Sequence, residues 1–180
     1  MTCIVGLVDK KSVWIGGDSA GSNGYQIRIR KDTKVFQIGD FLIGYTTSFR
    51  MGQLLRFSTP PKHDDKSEPY HFMVNTFVPW LRDLFRSGGF LTIENNVERG
   101  GFFLVGFANR LFAIEADFQV AEQSIGFHAV GSGDDVALGS LWSTKGMEPR
   151  KRLLTALKAS TEFCSGVRPP FKILKLKEAQ

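Results

Sequence analysis

The first residue of this chain able to do covalent chemistry is a threonine directly behind the initiator methionine. Thr2 is small enough for an aminopeptidase to strip Met1. The product would carry a hydroxyl nucleophile and a base, its own freed α-amine, on one residue. An α-amine has a reference pKa of about 7.7–8.0, so a useful fraction accepts protons near pH 7. Asp18 and Lys34 add a carboxylate and an ammonium. Read singly, Asp18 also suits a turn cap and Lys34 an exposed strand lysine. Ser132, between two glycines, reads as turn chemistry or as a weak phosphate cradle lacking the P-loop lysine. Cys3 reads as a core residue. His63, His71 and His128 have no ligand spacing, so neither a metal nor a cofactor is expected.

The elements that must position these residues follow from hydrophobic patterning. Residues 3–8 and 12–17 form a strand hairpin that ends at Asp18, and the Ser/Gly/Asn-rich stretch 19–24 reads as a loop. Strands at 34–38 and 41–46 flank the turn Gly39-Asp40. Ser48 offers an N-cap for a helix with Met51, Leu54, Leu55 and Phe57 at helical spacing. The proline-rich, charged stretch 58–69 is a loop. A helix over about 70–86 carries Met73, Phe77, Trp80, Leu81 and Leu84, with Pro79 kinking it or starting a new turn. Strands at 101–107, 111–115, 119–121 and 127–130 lead to Asp134 and Asp135, which favour the positive end of a helix dipole. Pro149 opens a long helix over 149–163 with a stripe of Leu153, Leu154, Leu157 and Phe163, and 171–176 ends as a strand. Strands and helices come in blocks, which predicts α+β architecture with segregated layers: two stacked sheets between helix layers.

With 180 residues, 42% hydrophobic and 23% charged, residues 1–180 fit one domain whose core needs no staples. Two cysteines, Cys3 and Cys164, make no disulfide framework, which suits a reducing compartment, and no stretch predicts secretion or a membrane span; cytoplasm is the expectation. The net charge of +5 is concentrated in residues 141–180, where nine Lys/Arg face three Glu. Because Arg150, Lys151, Arg152 and Lys158 share one helix, a solvated face is expected ahead of a nucleic-acid surface.

Taken together, Thr2 with Ile4-Val5-Gly6, Gly17-Asp18-Ser19, Lys34-Val35-Phe36, Val130-Gly131-Ser132-Gly133 and Ser165-Gly166-Val167 form an ordered series. It resembles the signature series of proteasome β-type subunits and HslV-like peptidases, which are N-terminal nucleophile hydrolases. The intervals of 16 positions from Thr2 to Asp18 and 32 from Thr2 to Lys34 match that family's spacing. The resemblance implies a four-layer αββα sandwich of antiparallel sheets and a threonine-dependent peptidase. In that reading Thr2 is the nucleophile, Lys34 lowers its proton affinity, Asp18 holds Lys34, and Ser132 and Ser165 fix the amine end. The N–H of residue 48 would face the oxyanion, and Gly21, Asp32, Phe36, Thr46 and Arg50 would line the pocket for the residue before the cut. Peptide or unfolded-protein substrates, a homo-oligomeric ring and an ATPase partner are implied; nucleic acid and membrane partners are not.

The sequence departs from the family pattern at three places. Ser48 stands where the family usually has glycine, and Glu162 where it usually has aspartate. The proline-rich stretch 58–69 interrupts what is usually a long helix. Three alternatives stay open: a small-acyl-amide hydrolase of the same fold, a catalytically silent ring or scaffold subunit, and a basic binding module.

Overall fold

Side-chain alternation along the strands sets the layering. The computed structural model describes residues 1–64 and 66–176; Asp65 of the proline-rich loop and Lys177 and Glu178 of the basic segment lie outside the described residues. The chain opens with β1 (Ile4–Asp9) and β2 (Ser12–Gly17), then β3 (Ala20–Ser22), β4 (Ile27–Ile29), β5 (Val35–Ile38) and β6 (Phe41–Tyr45). Helix α1 (Phe49–Arg56), α2 (Pro69–Phe72), a π-helical turn (Met73–Phe77) and α3 (Val78–Ser87) come next. Strands β7 (Thr92–Glu94), β8 (Val97–Arg99), β9 (Phe103–Phe107), β10 (Arg110–Ile114), β11 (Val120–Glu122) and β12 (Phe127–Val130) lead to α4 (Asp134–Ser143), α5 (Pro149–Phe163) and β13 (Lys172–Lys175).

Two antiparallel sheets result, ordered β12-β1-β2-β13 and β11-β10-β9-β6-β5. In β1, Ile4 points to the facing sheet, where it joins Val35, Leu42 and Leu104, while Val5 and Leu7 point the other way onto Leu141, Leu153 and Leu157 of α4 and α5. In β6 the same alternation sends Leu42 between the sheets and Phe41, Ile43 and Tyr45 onto Met51, Leu55 and Phe77 of the other helix layer. Period-two strands buried on both faces thus give helices, sheet, sheet, helices. This is the αββα sandwich expected from the sequence.

Several local expectations are corrected. Residues 20–22 are a short strand, anchored at buried Ala20 by Asp18 and paired with the exposed residues 27–29; the Ser/Gly/Asn composition hid it. The expected helix over 70–86 runs through 69–87 but passes through a π-helical turn just before Pro79, whose ring cannot supply an N–H. The hairpin β7–β8 adds two strands not expected from the sequence, whose apolar residues Ile93 and Val97 are exposed. Phe57 and Phe163, assigned to apolar helix stripes, are 85% and 80% exposed, because each sits at the end of its helix, past the layer it would pack on. Arg152, placed on the wet face of α5, is half-buried and donates to the Leu141 carbonyl at 2.7 Å.

Register brings the chemistry-bearing residues to one end of the sandwich. Ile4 pairs with Gly17 on one side and Val130 on the other, so Thr2, Asp18 and Ser132 all emerge from the same ends of β1, β2 and β12. Lys34 precedes β5, whose Val35 packs between the sheets, and its side chain enters from the facing sheet. Among the described residues no helix is long and apolar enough to cross a membrane.

Candidate active site

Lys34 is the centre of the cluster. Only 2% exposed, it is among the largest fully buried side chains of the protein. Its Nζ donates to Thr2 Oγ1 at 2.8 Å and to Asp18 Oδ1 at 2.8 Å. Burial pulls the Lys34 pKa below its ordinary value, against the opposing pull of the Asp18 carboxylate. The buried ammonium is tolerable because its counter-charge is itself fixed. Asp18 Oδ1 also accepts from the Cys3 backbone N–H at 3.1 Å, and Oδ2 accepts from Ala20 at 2.9 Å and Arg168 at 3.4 Å. Its carboxylate therefore cannot turn away from Lys34 without leaving backbone donors unsatisfied.

The nitrogen of Thr2 is oriented separately. Its N–H donates to Ser132 Oγ at 3.0 Å, and the Thr2 carbonyl accepts from the Gly133 N–H at 3.3 Å. Gly131 makes this approach possible. Its φ is +105°, and a Cβ there would lie 2.4 Å from the Thr2 carbonyl oxygen, so glycine is needed on both counts. The Thr2 hydroxyl donates to the Met1 carbonyl at 2.6 Å.

Two cavities meet at Thr2. One, of about 60 Å³, is bounded by Gly21, Lys34, Tyr45, Thr46, Ser48 and Phe49. The other, of about 560 Å³, is bounded by Phe102, Glu115, His128, Ser132 and Asp134 among others. Of the pocket residues expected from the sequence, Gly21 and Thr46 border the small cavity. Asp32 is instead paired with Arg30 at 2.6 Å, Phe36 lies in the helix-facing core beneath the Arg56 guanidinium, and Arg50 is exposed and donates to the Gly88 carbonyl. Arg30 stacks on Phe49, 3.7 Å from its centroid, and Phe49 in turn borders the small cavity. The Ser48 side chain caps α1 by accepting from Arg50 N–H, and the Ser48 N–H donates to the Thr46 carbonyl at 2.7 Å across Thr47, at φ +63°.

Of the remaining expected residues, only Ser165 reaches Met1. Ser165 Oγ lies 3.7 Å from Met1 Sδ, whereas Glu162 is exposed on the last turn of α5 and its carboxylate has no hydrogen bond or ion pair among the described residues. Two residues not expected at the site also approach it: Cys164, whose Sγ is 3.4 Å from Ser132 Oγ, and Arg168, whose guanidinium donates to the carbonyls of Thr161, Cys164 and Val167 and so shapes the turn after α5. Neither carried a pattern that could have singled it out. Among the described residues no cluster of His, Cys, Asp and Glu is arranged to hold a metal ion.

Neither a family model nor a curated protein sequence matches the chain. Solved structures do. BPH of Thiobacillus denitrificans aligns with a TM-score of 0.79 at 18% identity over 98% of this chain and 99% of that one. The same protein in complex with epoxomicin gives 0.79 at 17% identity, over 99% and 100%. The fold is that of proteasome β-type and HslV-like proteins. HslV from Trypanosoma brucei agrees, with a TM-score of 0.69 at 15% identity over 98% and 99% of the two chains.

Proposed function

We propose that this protein is a threonine-dependent peptide hydrolase, with Thr2 as nucleophile once Met1 is removed. The observation that carries the reading is the buried chain Asp18–Lys34–Thr2, two contacts of 2.8 Å ending on a hydroxyl at the junction of two cavities. An ammonium in that position stabilises the developing alkoxide, and in a water-poor site the effect is larger than in bulk solvent.

The chemistry balances on Thr2 itself. Oγ1 attacks the scissile carbonyl carbon as its proton passes to the free α-amine, held by Ser132. The tetrahedral intermediate collapses, the C–N bond breaks, and the α-ammonium protonates the departing amine. Water then attacks the Thr2 ester, giving its proton to the same amine. The ester C–O bond breaks, Oγ1 regains a proton, and the carboxylate product leaves. In this scheme the Ser48 N–H exchanges the Thr46 carbonyl for the substrate oxyanion, a contact worth about 3–4 kcal/mol in other acyl-transfer enzymes. A homo-oligomeric ring fed by an ATPase belongs to the same proposal, because confinement would protect the cell from an unselective peptidase.

A silent ring or scaffold subunit is the second reading, and the observation that favours it is that the Ser48 N–H already has a partner. Hydrolysis of a fluorogenic peptide panel separates the two. Activity in the wild type and Thr2→Ser, with loss in Thr2→Ala, supports the hydrolase; equal rates in wild type and Thr2→Ala, or none in any, reject it.

A further inference from the structure

The two cavities at Thr2 differ in size and charge, and proton transfer tells them apart. The α-amine that takes the Thr2 proton must give it to the departing nitrogen, so the leaving group lies on the amine's side. That nitrogen rests on Ser132 Oγ at 3.0 Å, and Ser132 borders the large cavity. Lys34 and the Ser48 N–H border the small one. The acyl half of a substrate therefore occupies the small cavity, and the half beyond the cut enters the large one.

We propose that the large cavity selects a positively charged residue immediately after the cut, through the carboxylates of Glu115 and Asp134. This rests on the hydrolase reading above and names its substrate class.

Both carboxylates border a cavity whose walls include no lysine or arginine among the described residues. The chain as a whole is +5, so the acidity is local to this cavity. Asp134 spends one oxygen on the Asp135 N–H at 2.9 Å, at the start of α4. The Glu115 backbone pairs with Gln119 and Phe118, but its carboxylate, half-buried just after β10, has no hydrogen bond or ion pair among the described residues. Burial raises its pKa, with the Asp117 and Asp134 charges adding to the rise. A cation from the substrate would answer both. His128, the third titratable side chain on this wall, has its pKa lowered by burial and so opposes a cation less than an imidazolium would. The apolar Phe102 and Leu138 shield the same space, where a charge pair is worth more than at an open surface.

The test uses two peptides with alanine before the cut, differing only in lysine or norleucine after it, with product release followed by mass spectrometry. A peptide epoxyketone, which has no leaving group, reports independently on Thr2. The wild type is expected to form the adduct and to favour lysine in kcat/KM by about tenfold, the worth of a partly shielded ion pair. In Glu115→Gln the ratio falls to about twofold, and in Glu115→Lys it inverts in favour of norleucine, with adduct formation showing that each variant has folded. A wild type that forms the adduct but cleaves both peptides equally overturns the cationic subsite alone. Unchanged preference in Glu115→Lys does the same. A wild type that forms no adduct and cleaves neither peptide overturns the hydrolase reading, and the subsite with it.

Discussion

The Lys34 ammonium reaches the Thr2 hydroxyl at 2.8 Å from the opposite sheet, across 32 positions of chain. The contact exists because β1 and β5 face each other through Ile4 and Val35, and it is fixed because Asp18 holds the same nitrogen.

Removing Asp18 tests how much of the fold depends on that pairing. Asp18→Ala leaves a buried ammonium without its counter-charge and three backbone N–H groups without their acceptor. Stability at pH 7 is expected to fall by about 3–5 kcal/mol in urea denaturation. Because a lone buried lysine binds protons more weakly folded than unfolded, the deficit shrinks as pH rises toward the ordinary lysine value. An unchanged midpoint at pH 7 contradicts the account.

Glu115 gives a second pH signature of opposite sign. Its folded pKa is raised by burial above the ordinary 4.5, so the folded protein binds the proton more tightly than the unfolded chain. Its contribution is present below 4.5 and is lost as pH rises through the folded pKa. Glu115→Gln should therefore melt above the wild type at pH 7–8, and the advantage should disappear below 4.5. Thermal denaturation at the two pH values measures this; an advantage larger in acid rules it out.

The two thiols should react differently. Cys3 is buried and its thiol is pushed up to about 12 by desolvation, whereas Cys164 is half-buried beside Ser132. Iodoacetamide is expected to add once per native chain, at Cys164, and to slow subsequent reaction at Thr2 by crowding Ser132. Peptide mapping that finds Cys3 modified as readily as Cys164 goes against it.

Phe49 sets the size of the acyl-side cavity. Its ring is pinned by the Arg30 guanidinium and packs edge-on against Tyr45, with centroids 6.1 Å apart. Phe49→Ala should open the small cavity and raise kcat/KM for a leucine before the cut, relative to alanine, by about tenfold or more. An unchanged ratio places the acyl-side selection elsewhere.

Much of this architecture is legible in the residues. Short apolar runs expose β1, β2, β5, β6, β9 and β10 because most of these strands are buried on both faces, and Ser48 and Pro149 mark helix starts through local capping chemistry. The short hairpins β3–β4 and β7–β8 were the hardest to read, since their apolar residues Ile27, Ile29, Ile93 and Val97 are few and exposed rather than part of a core-facing run. The site divides the same way. Thr2, Asp18, Lys34 and Ser132 lie at strand ends, where sequence interval fixes position, and the structure brings them together. The walls of the cleft come from packing between distant elements. Phe49 and Glu115 reach it by the pitch of α1 and the end of β10, and Cys164 comes up behind Ser132 from the turn after α5, none of which an interval encodes.

The central claim is that Thr2 acts with a free α-amine. Its most direct test is the intact mass of the purified protein before and after incubation with a peptide epoxyketone, whose ring adduct requires both the hydroxyl and the amine of an N-terminal threonine. The account predicts a chain lacking Met1 that gains one adduct, and no adduct in Thr2→Ala. A chain that retains Met1, or one that has lost it and still never gains mass across a panel of such peptides, contradicts it.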